Sequence, residues 1–284
     1  MKTMTLSPKV KRRLGLTGAY ILAIILAIVF LFPFYYTILN SLRPINSSPA
    51  LLTFKGFEFE NFSLAVTLIP FWRYLKNSVI IEFIGLTTGL FTSFAYGYAL
   101  ARLKAPGKTV VFYMILSSVM VPAMAIQVPQ YVLFSNLGLK DTYWIYVING
   151  LCGSAVNVFT YRQYLVSFSS SIEEAAMIDG CTRFSIMWRI VAPISKPIIA
   201  VVLFKDFLML WNDYMTPYMY LSQNKYPIAM ALFGTSYIMP NNPGVKLVPV
   251  QNAAAILITI PTLIVFFICQ KQLVADVTAG SIKE

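Results

Sequence analysis

The chain has no histidine, three cysteines and only 11 acidic residues against 22 basic ones among 284. Without histidine, and with Cys152, Cys181 and Cys269 scattered, neither a zinc site nor a disulfide framework can be assembled. Charged residues make up 12% of the chain, where a soluble domain carries about a quarter. Hydrophobic residues make up 58%, and the mean hydropathy is +0.70. That balance excludes a soluble globular protein. A net charge of +11 would suit nucleic acid if the basic residues were clustered. They lie instead in short tracts between long apolar runs, as topology signals do. The expectation is an all-α, polytopic membrane protein whose solvent is the lipid bilayer, with no nucleic-acid partner.

About 20 apolar residues cross a bilayer as a helix. Six stretches qualify: 18–39, 77–100, 109–133, 143–161, 197–221 and 252–270. The first follows Lys9, Lys11, Arg12 and Arg13, as a signal-peptide core would. It is too long for one and runs into Phe34-Tyr35-Tyr36 where small residues would be needed, so it reads as a retained anchor. Lysine and arginine number fourteen in residues 1–17, 101–108, 162–196 and 271–284, against seven in 40–76, 134–142 and 222–251. This places both termini in the cytoplasm. The organisation is a cytoplasmic segment 1–17, a six-helix domain 18–270 that includes a cytoplasmic loop 162–196, and a tail 271–284. Two external Asn-x-Ser sequons, at Asn46 and Asn61, read as chance. Pro33, Pro122, Pro129, Pro217 and Pro261 interrupt the spans. Gly85, Gly89, Ser93, Ala95 and Gly97 give the second span a small-residue face for close helix approach.

The 162–196 loop is the most patterned segment. Ser171 and Glu174 have capping-box spacing, Glu173 and Glu174 suit a helix N-terminus, and Gly180 is placed to end the helix. A second short helix is expected over 183–190, before Pro193 and Pro197 turn the chain into the fifth span. The competing reading is a well-capped loop with no further role.

Glu174-Ala175-Ala176, Gly180 and Ile190-Val-Ala192-Pro193 resemble the EAA loop of permeases of ABC importers, with Ala192 where leucine is usual. Asn77-Ser78, Tyr96-x-Tyr-Ala-Leu-Ala-Arg102, Gly138-Leu139-x-Asp-Thr142, Trp211-Asn212-Asp213 and the tail Thr278–Lys283 are similar to the carbohydrate, maltose-permease-like branch. The chain departs at Ser167–Ile172, where many relatives have a proline, and at Lys205-Asp206, where an apolar or hydroxyl residue is commoner. The resemblance implies a type I importer permease fold with a cytoplasmic coupling helix, in a bacterial or archaeal cell membrane. It implies ATPase coupling through Glu173, Glu174, Ala175, Ala176, Asp179, Gly180 and Pro193. It also implies a second permease subunit, two cytoplasmic ATPase subunits that hold ATP and magnesium, and an extracytoplasmic solute-binding protein. The chain itself would bind no cofactor and carry half of a path for a mono- or oligosaccharide. Its own P-loop-like fragment, Gly107-Lys108-Thr109, fails, because the motif's first glycine would fall at Arg102.

Ionisable residues inside spans are costly and draw attention by default: Glu82, Lys205 and Asp206. Glu82 lies near an outer end, within reach of Lys76. Lys205 and Asp206 are about 12 Å deep from the inner end and read as a structural ion pair. A sugar path calls for amides, hydroxyls and aromatic faces, and Gln127, Tyr131, Asn149, Asn157, Asn212 and Tyr214 offer them. Each also suits helix–helix hydrogen bonding or packing. The alternatives are an ABC permease for a sugar phosphate, peptide or amino acid, and a secondary transporter coupled through Glu82 and Asp206. A membrane-embedded enzyme lacks any catalytic constellation.

Overall fold

A computed structural model describes residues 8–45, 47–233, 237–239 and 242–281. Thirteen helices run in order: α1 (Pro8–Ser41), α2 (Glu60–Thr67), α3 (Phe71–Arg102), α4 (Lys108–Ser118), α5 (Ala123–Asn136), α6 (Trp144–Cys152), α7 (Ala155–Val166), α8 (Ser171–Ile178), α9 (Arg183–Ile186), α10 (Ala192–Ile194), α11 (Lys196–Trp211), α12 (Met215–Tyr220) and α13 (Val248–Ser281). A widened turn over Met187–Val191 joins α9 to α10. The all-α expectation needs one correction: β1 (Ile238–Met239) and β2 (Asn242–Lys246) pair antiparallel.

Among the described residues, three helices are long and apolar enough to cross a membrane in one piece: α1, α3 and α13. Two further apolar segments are bent pairs, α4 with α5 at 98° and α9–α10 with α11 at 83°. The expected continuous segment 109–133 is therefore broken at 119–122, where Pro122 has no N–H to carry a helix onward. The expected 143–161 is parted into α6 and α7 at Gly153, which takes φ +72°. The expected 197–221 stops at Trp211 and restarts at Met215, where the Asp213 carboxylate accepts the Met215 and Thr216 N–H groups at 3.0 and 3.1 Å.

The chain forms two units, Met1–Ile69 with Thr235–Leu257, and Pro70–Gly234 with Ile258–Glu284. In the first, the loop after α1 is held by side chains buried beneath it. Arg43 Nη1 donates to the Thr53 carbonyl at 2.6 Å, and Asn61 Nδ2 donates to the Ser41 and Arg43 carbonyls at 2.8 Å. Asn61 is 1% exposed, so its sequon is closed to modification. Asn46 lies outside the described residues. The Tyr237 hydroxyl donates to the Ala65 carbonyl, and burial raises its pKa above the ordinary phenol value.

The second unit is built on α3, which packs against α6, α7 and α11. Of the three uninterrupted spans it is the least apolar and the most buried, with a third of its most apolar window covered. The small residues explain this. A Cβ on Gly97 would stand 2.6 Å from Tyr161 Cβ and 3.2 Å from the backbone of α7. One on Gly85 would meet Leu210 at 2.8 Å, and one on Gly150 would meet Thr88 at 1.9 Å. Polar groups close the contact: Thr92 Oγ1 donates to the Gly150 carbonyl at 2.6 Å, and Ser93 Oγ accepts the Ser154 N–H at 3.0 Å. At the other end of α3, Asn77 donates to the Asn224 and Tyr226 carbonyls, and Ser78 Oγ accepts the Ile228 N–H. Asp141, in the α5–α6 connection, accepts the Ser222 N–H at 2.9 Å. That bond, with Lys225 beside it, holds its carboxyl below the ordinary carboxylate range.

Gly97→Leu should weaken α3–α7 packing by about 1–3 kcal/mol, the cost of overpacking a filled contact. Gly18→Leu on α1, where an added Cβ meets nothing within 4 Å, should not. Thermal unfolding of the purified complex in detergent, read for both variants, checks the difference.

Candidate functional site

Two places carry the residues singled out from the sequence: a loop at the Arg102 end of α3 and a cleft alongside its middle.

The loop centres on α8. Gly180 has φ +82°, and its N–H donates to the Met177 carbonyl at 3.1 Å, while the Cys181 N–H reaches the Ala176 carbonyl at 3.0 Å. This is the glycine-ended helix expected. The Ser171–Glu174 capping box is not formed. Ser171 is already helical, so its side chain cannot occupy the cap position. Instead Ser169 Oγ accepts the Ser171 N–H at 3.2 Å, and Ser170 Oγ donates to Glu174 Oε1 at 2.6 Å. Thr182 caps α9 by accepting the Ser185 N–H at 3.2 Å. The expected second helix runs on to Ile194 through the widened turn. Pro193 has no N–H to offer the Arg189 carbonyl, and the wider turn falls just before it.

Glu173 and Ala176 face inward, 4% and 7% exposed. Ala176 joins a core of Tyr98, Leu165, Ile186 and Val191. Glu173 Oε1 lies 2.6 Å from Arg102 Nε, and Oε2 accepts from the Tyr98 hydroxyl at 3.1 Å. Glu174, Ala175, Asp179 and Gly180 face outward, beside Ile172 and Ile178. Ile178 is 87% exposed, an unusual position for a large apolar side chain.

The cleft, about 290 Å³, is lined by Gly85, Gly89, Gly150 and Gly153 and by the polar residues Asn149, Asn157, Asp206, Asp213 and Thr216, among others. Of the six amide and aromatic candidates, the structure brings only Asn149 and Asn157 to it. Gln130, one helical turn from the expected Gln127, donates to Asn149 Oδ1 at 3.0 Å. Gln127 is half-buried on α5 and outside the lining. Tyr131 packs on Tyr220 with ring centroids 5.4 Å apart, under the Lys140 ammonium at 5.3 Å. Asn212 and Tyr214 line a separate pocket of about 230 Å³, where Asn212 donates to the Leu208 carbonyl and Tyr214 stacks on Phe233.

Lys205 Nζ lies 3.4 Å from Asp206 Oδ1 and donates to Asn157 Oδ1, while Asn157 Nδ2 donates to Asp206 Oδ2 at 2.6 Å. The ion pair is thus real, shared with an amide and open to the cleft. Glu82 has no such arrangement. It is 5% exposed, and neither oxygen finds a hydrogen-bond partner among the described residues. The expected contact with Lys76 is absent, because that side chain is exposed one helical turn and a half away. Arg102, Tyr98, Gln130 and Asp213 were passed over as site residues. The Tyr98–Arg102 spacing of four on the last turn of α3 was the available signal.

Apolar helices broken around a cleft with amides and carboxylates in its lining, with a short helix held on one side and bare on the other, suit a membrane permease. The family described as "Binding-protein-dependent transport system inner membrane component" matches residues 85–279, and the chain belongs to it. It is a transport permease and not an enzyme. It is 30% identical to a maltodextrin transport system permease of Bacillus subtilis, over 96% of this chain and 98% of that one. It is 26% identical to a probable starch degradation products transport system permease of Thermoanaerobacterium thermosulfurigenes, over 93% and 95%. Its fold is similar to that of a chain in a bacterial ABC transporter that imports the acidic polysaccharide alginate, with TM-score 0.78, 24% identity, and coverage of 95% of this chain and 100% of that one.

Lys205→Met leaves Asp206 with Asn157 alone and should lower stability on the order of 2 kcal/mol, the loss of a charged hydrogen bond. Lys205→Met with Asp206→Asn, which leaves no unpaired charge and keeps an amide partner for Asn157, should recover most of it. Melting temperatures of the two variants check this; equal losses would show that the pair does not act as a unit.

Proposed function

We propose that this chain is one of two permease subunits in an ATP-driven, binding-protein-dependent sugar importer. The cleft along α3 is this chain's half of the translocation path. Residues 162–196 and both termini face the cytoplasm, the chain crosses the membrane six times with α6 and α7 as one crossing, and α8 docks on a separate ATPase subunit. The carrying observation is α8 itself: Glu173 and Ala176 root it to the bundle, while Ala175, Ile178 and Asp179 stand bare. A helix held on one side and bare on the other, where Ile178 and Ala175 stand between the carboxylates of Glu174 and Asp179, suits a groove in a partner. The lysine and arginine count supports the orientation. The sugar assignment is supported by the maltodextrin and starch-product permeases to which the chain is similar, and by a cleft of amides and hydroxyls. ATP and magnesium belong to the partner ATPases, and the extracytoplasmic binding protein delivers the sugar.

Gly180 supplies the test. An added Cβ there meets nothing within 4 Å, so the local cost is one of backbone. A residue with a Cβ costs about 1 kcal/mol at φ +82°, and proline, which cannot take that φ and loses the N–H bond to Met177, costs about 3 kcal/mol at this exposed helix end. The substitution redirects α8. Gly180→Pro and Glu174→Lys should leave membrane levels and pairing with the second permease within twofold. ATPase co-purification should fall at least tenfold, and uptake of labelled oligosaccharide should be lost. Normal uptake with either variant overturns the docking role. Solute accumulation in vesicles lacking any ATPase, driven by an ion gradient, would favour the secondary-transporter alternative.

A further inference from the structure

The covalent routes from α8 into the membrane bundle are both compliant. On one side the chain leaves α7 through the turn at residues 167–170; on the other it passes the widened turn at Met187–Val191 and an 83° bend before α11. A displacement of α8 along either route is absorbed where the backbone ladder is interrupted. The non-covalent route is different. Arg102, the last residue of α3, forms an ion pair with Glu173, its Nε 2.6 Å from Oε1, and the two side chains are 12% and 6% exposed. Tyr98 holds the other carboxylate oxygen, and Arg102 Nη2 donates to the Phe168 carbonyl at 3.3 Å. The pair lines a pocket of about 200 Å³ together with Leu165, Ile172, Ile190, Val191 and Ile194, and its burial weakens screening of the two charges. Beyond Arg102, α3 is one helix of 32 residues with no internal proline. Its cleft residues Gly89 and Gly85 lie 13 and 17 residues before Arg102, about 20 and 25 Å along a straight axis.

We infer that the buried Arg102–Glu173 pair, with Tyr98, is the link that carries movement of α8 into the cleft through α3. The three are positioning residues: they touch neither solute nor nucleotide. The inference rests on the proposed docking of α8 and adds to it the path the movement takes.

The test uses the reconstituted complex with its second permease, ATPases and binding protein. Arg102→Met combined with Glu173→Met removes both charges at once, which spares the bundle an unpaired buried charge. ATPase co-purification should stay within twofold of the parent. Uptake should fall at least tenfold, and ATP hydrolysis should no longer rise with liganded binding protein. With Cys152, Cys181 and Cys269 replaced by serine, Asn149→Cys should report the cleft directly. Its labelling by a thiol reagent should change with nucleotide in the parent and not in the double variant. Arg102→Lys, which keeps the charge, should retain uptake within threefold. Uptake within twofold of the parent in the double variant overturns the link, as does loss of ATPase association in step with uptake, the signature of a merely structural pair. The docking role fails separately, when Gly180→Pro keeps both its ATPase and its uptake.

Discussion

The second unit depends on how closely backbones approach α3. Inside a bilayer there is no hydrophobic force to press helices together, so contact between small residues and hydrogen bonds across the contact must hold them. Gly97 against Tyr161, Gly85 against Leu210 and Thr88 against Gly150 leave no room for a side chain. At those distances Thr92 and Ser93 can reach the freed backbone groups of the α6–α7 break. The break and the close contact are therefore one feature: α6 can stop and α7 restart because α3 is near enough to satisfy the backbone groups freed between them.

The same economy appears wherever a helix is interrupted. Asp213 caps α12 after the Trp211 stop, and Thr182 caps α9 after Gly180. Each interruption also aims something. The α6–α7 break opens Gly150, Gly153 and Ser154 onto the cleft, and the α11–α12 break brings Asp213 and Thr216 to its edge. The cleft's polar groups come both from these helix ends and from side chains within helices, Asn157 and Asp206 among them.

At the other end of α3, Glu173 and Glu174 divide the work. Adjacent on a helix, they point about 100° apart, so one is buried against Arg102 and the other stays with Ser170 in solvent. The first holds α8 to the end of α3, and the second stays on the exposed side. Ala175 and Ala176 divide in the same way.

Composition and hydropathy alone settled the class: a chain so apolar and so poor in charge has no aqueous fold. The uninterrupted spans over α1, α3 and α13, the small-residue face of α3 and the glycine end of α8 were also legible, since each depends on residues close in sequence. Three things were not. Which prolines break the apolar runs was hidden, because Pro129 and Pro261 lie inside helices while Pro122 stands at a 98° bend, and hydropathy is blind to backbone direction. Which amide of α5 meets the cleft residue Asn149 was hidden too, since Gln127 and Gln130 lie on one helix and only the fold brings the second to it. Above all, Arg102 and Glu173 stand 71 residues apart with no pattern joining them. Their pairing exists because α3 and α8 meet in apolar surroundings where neither charge could remain alone, and only the folded chain brings them there.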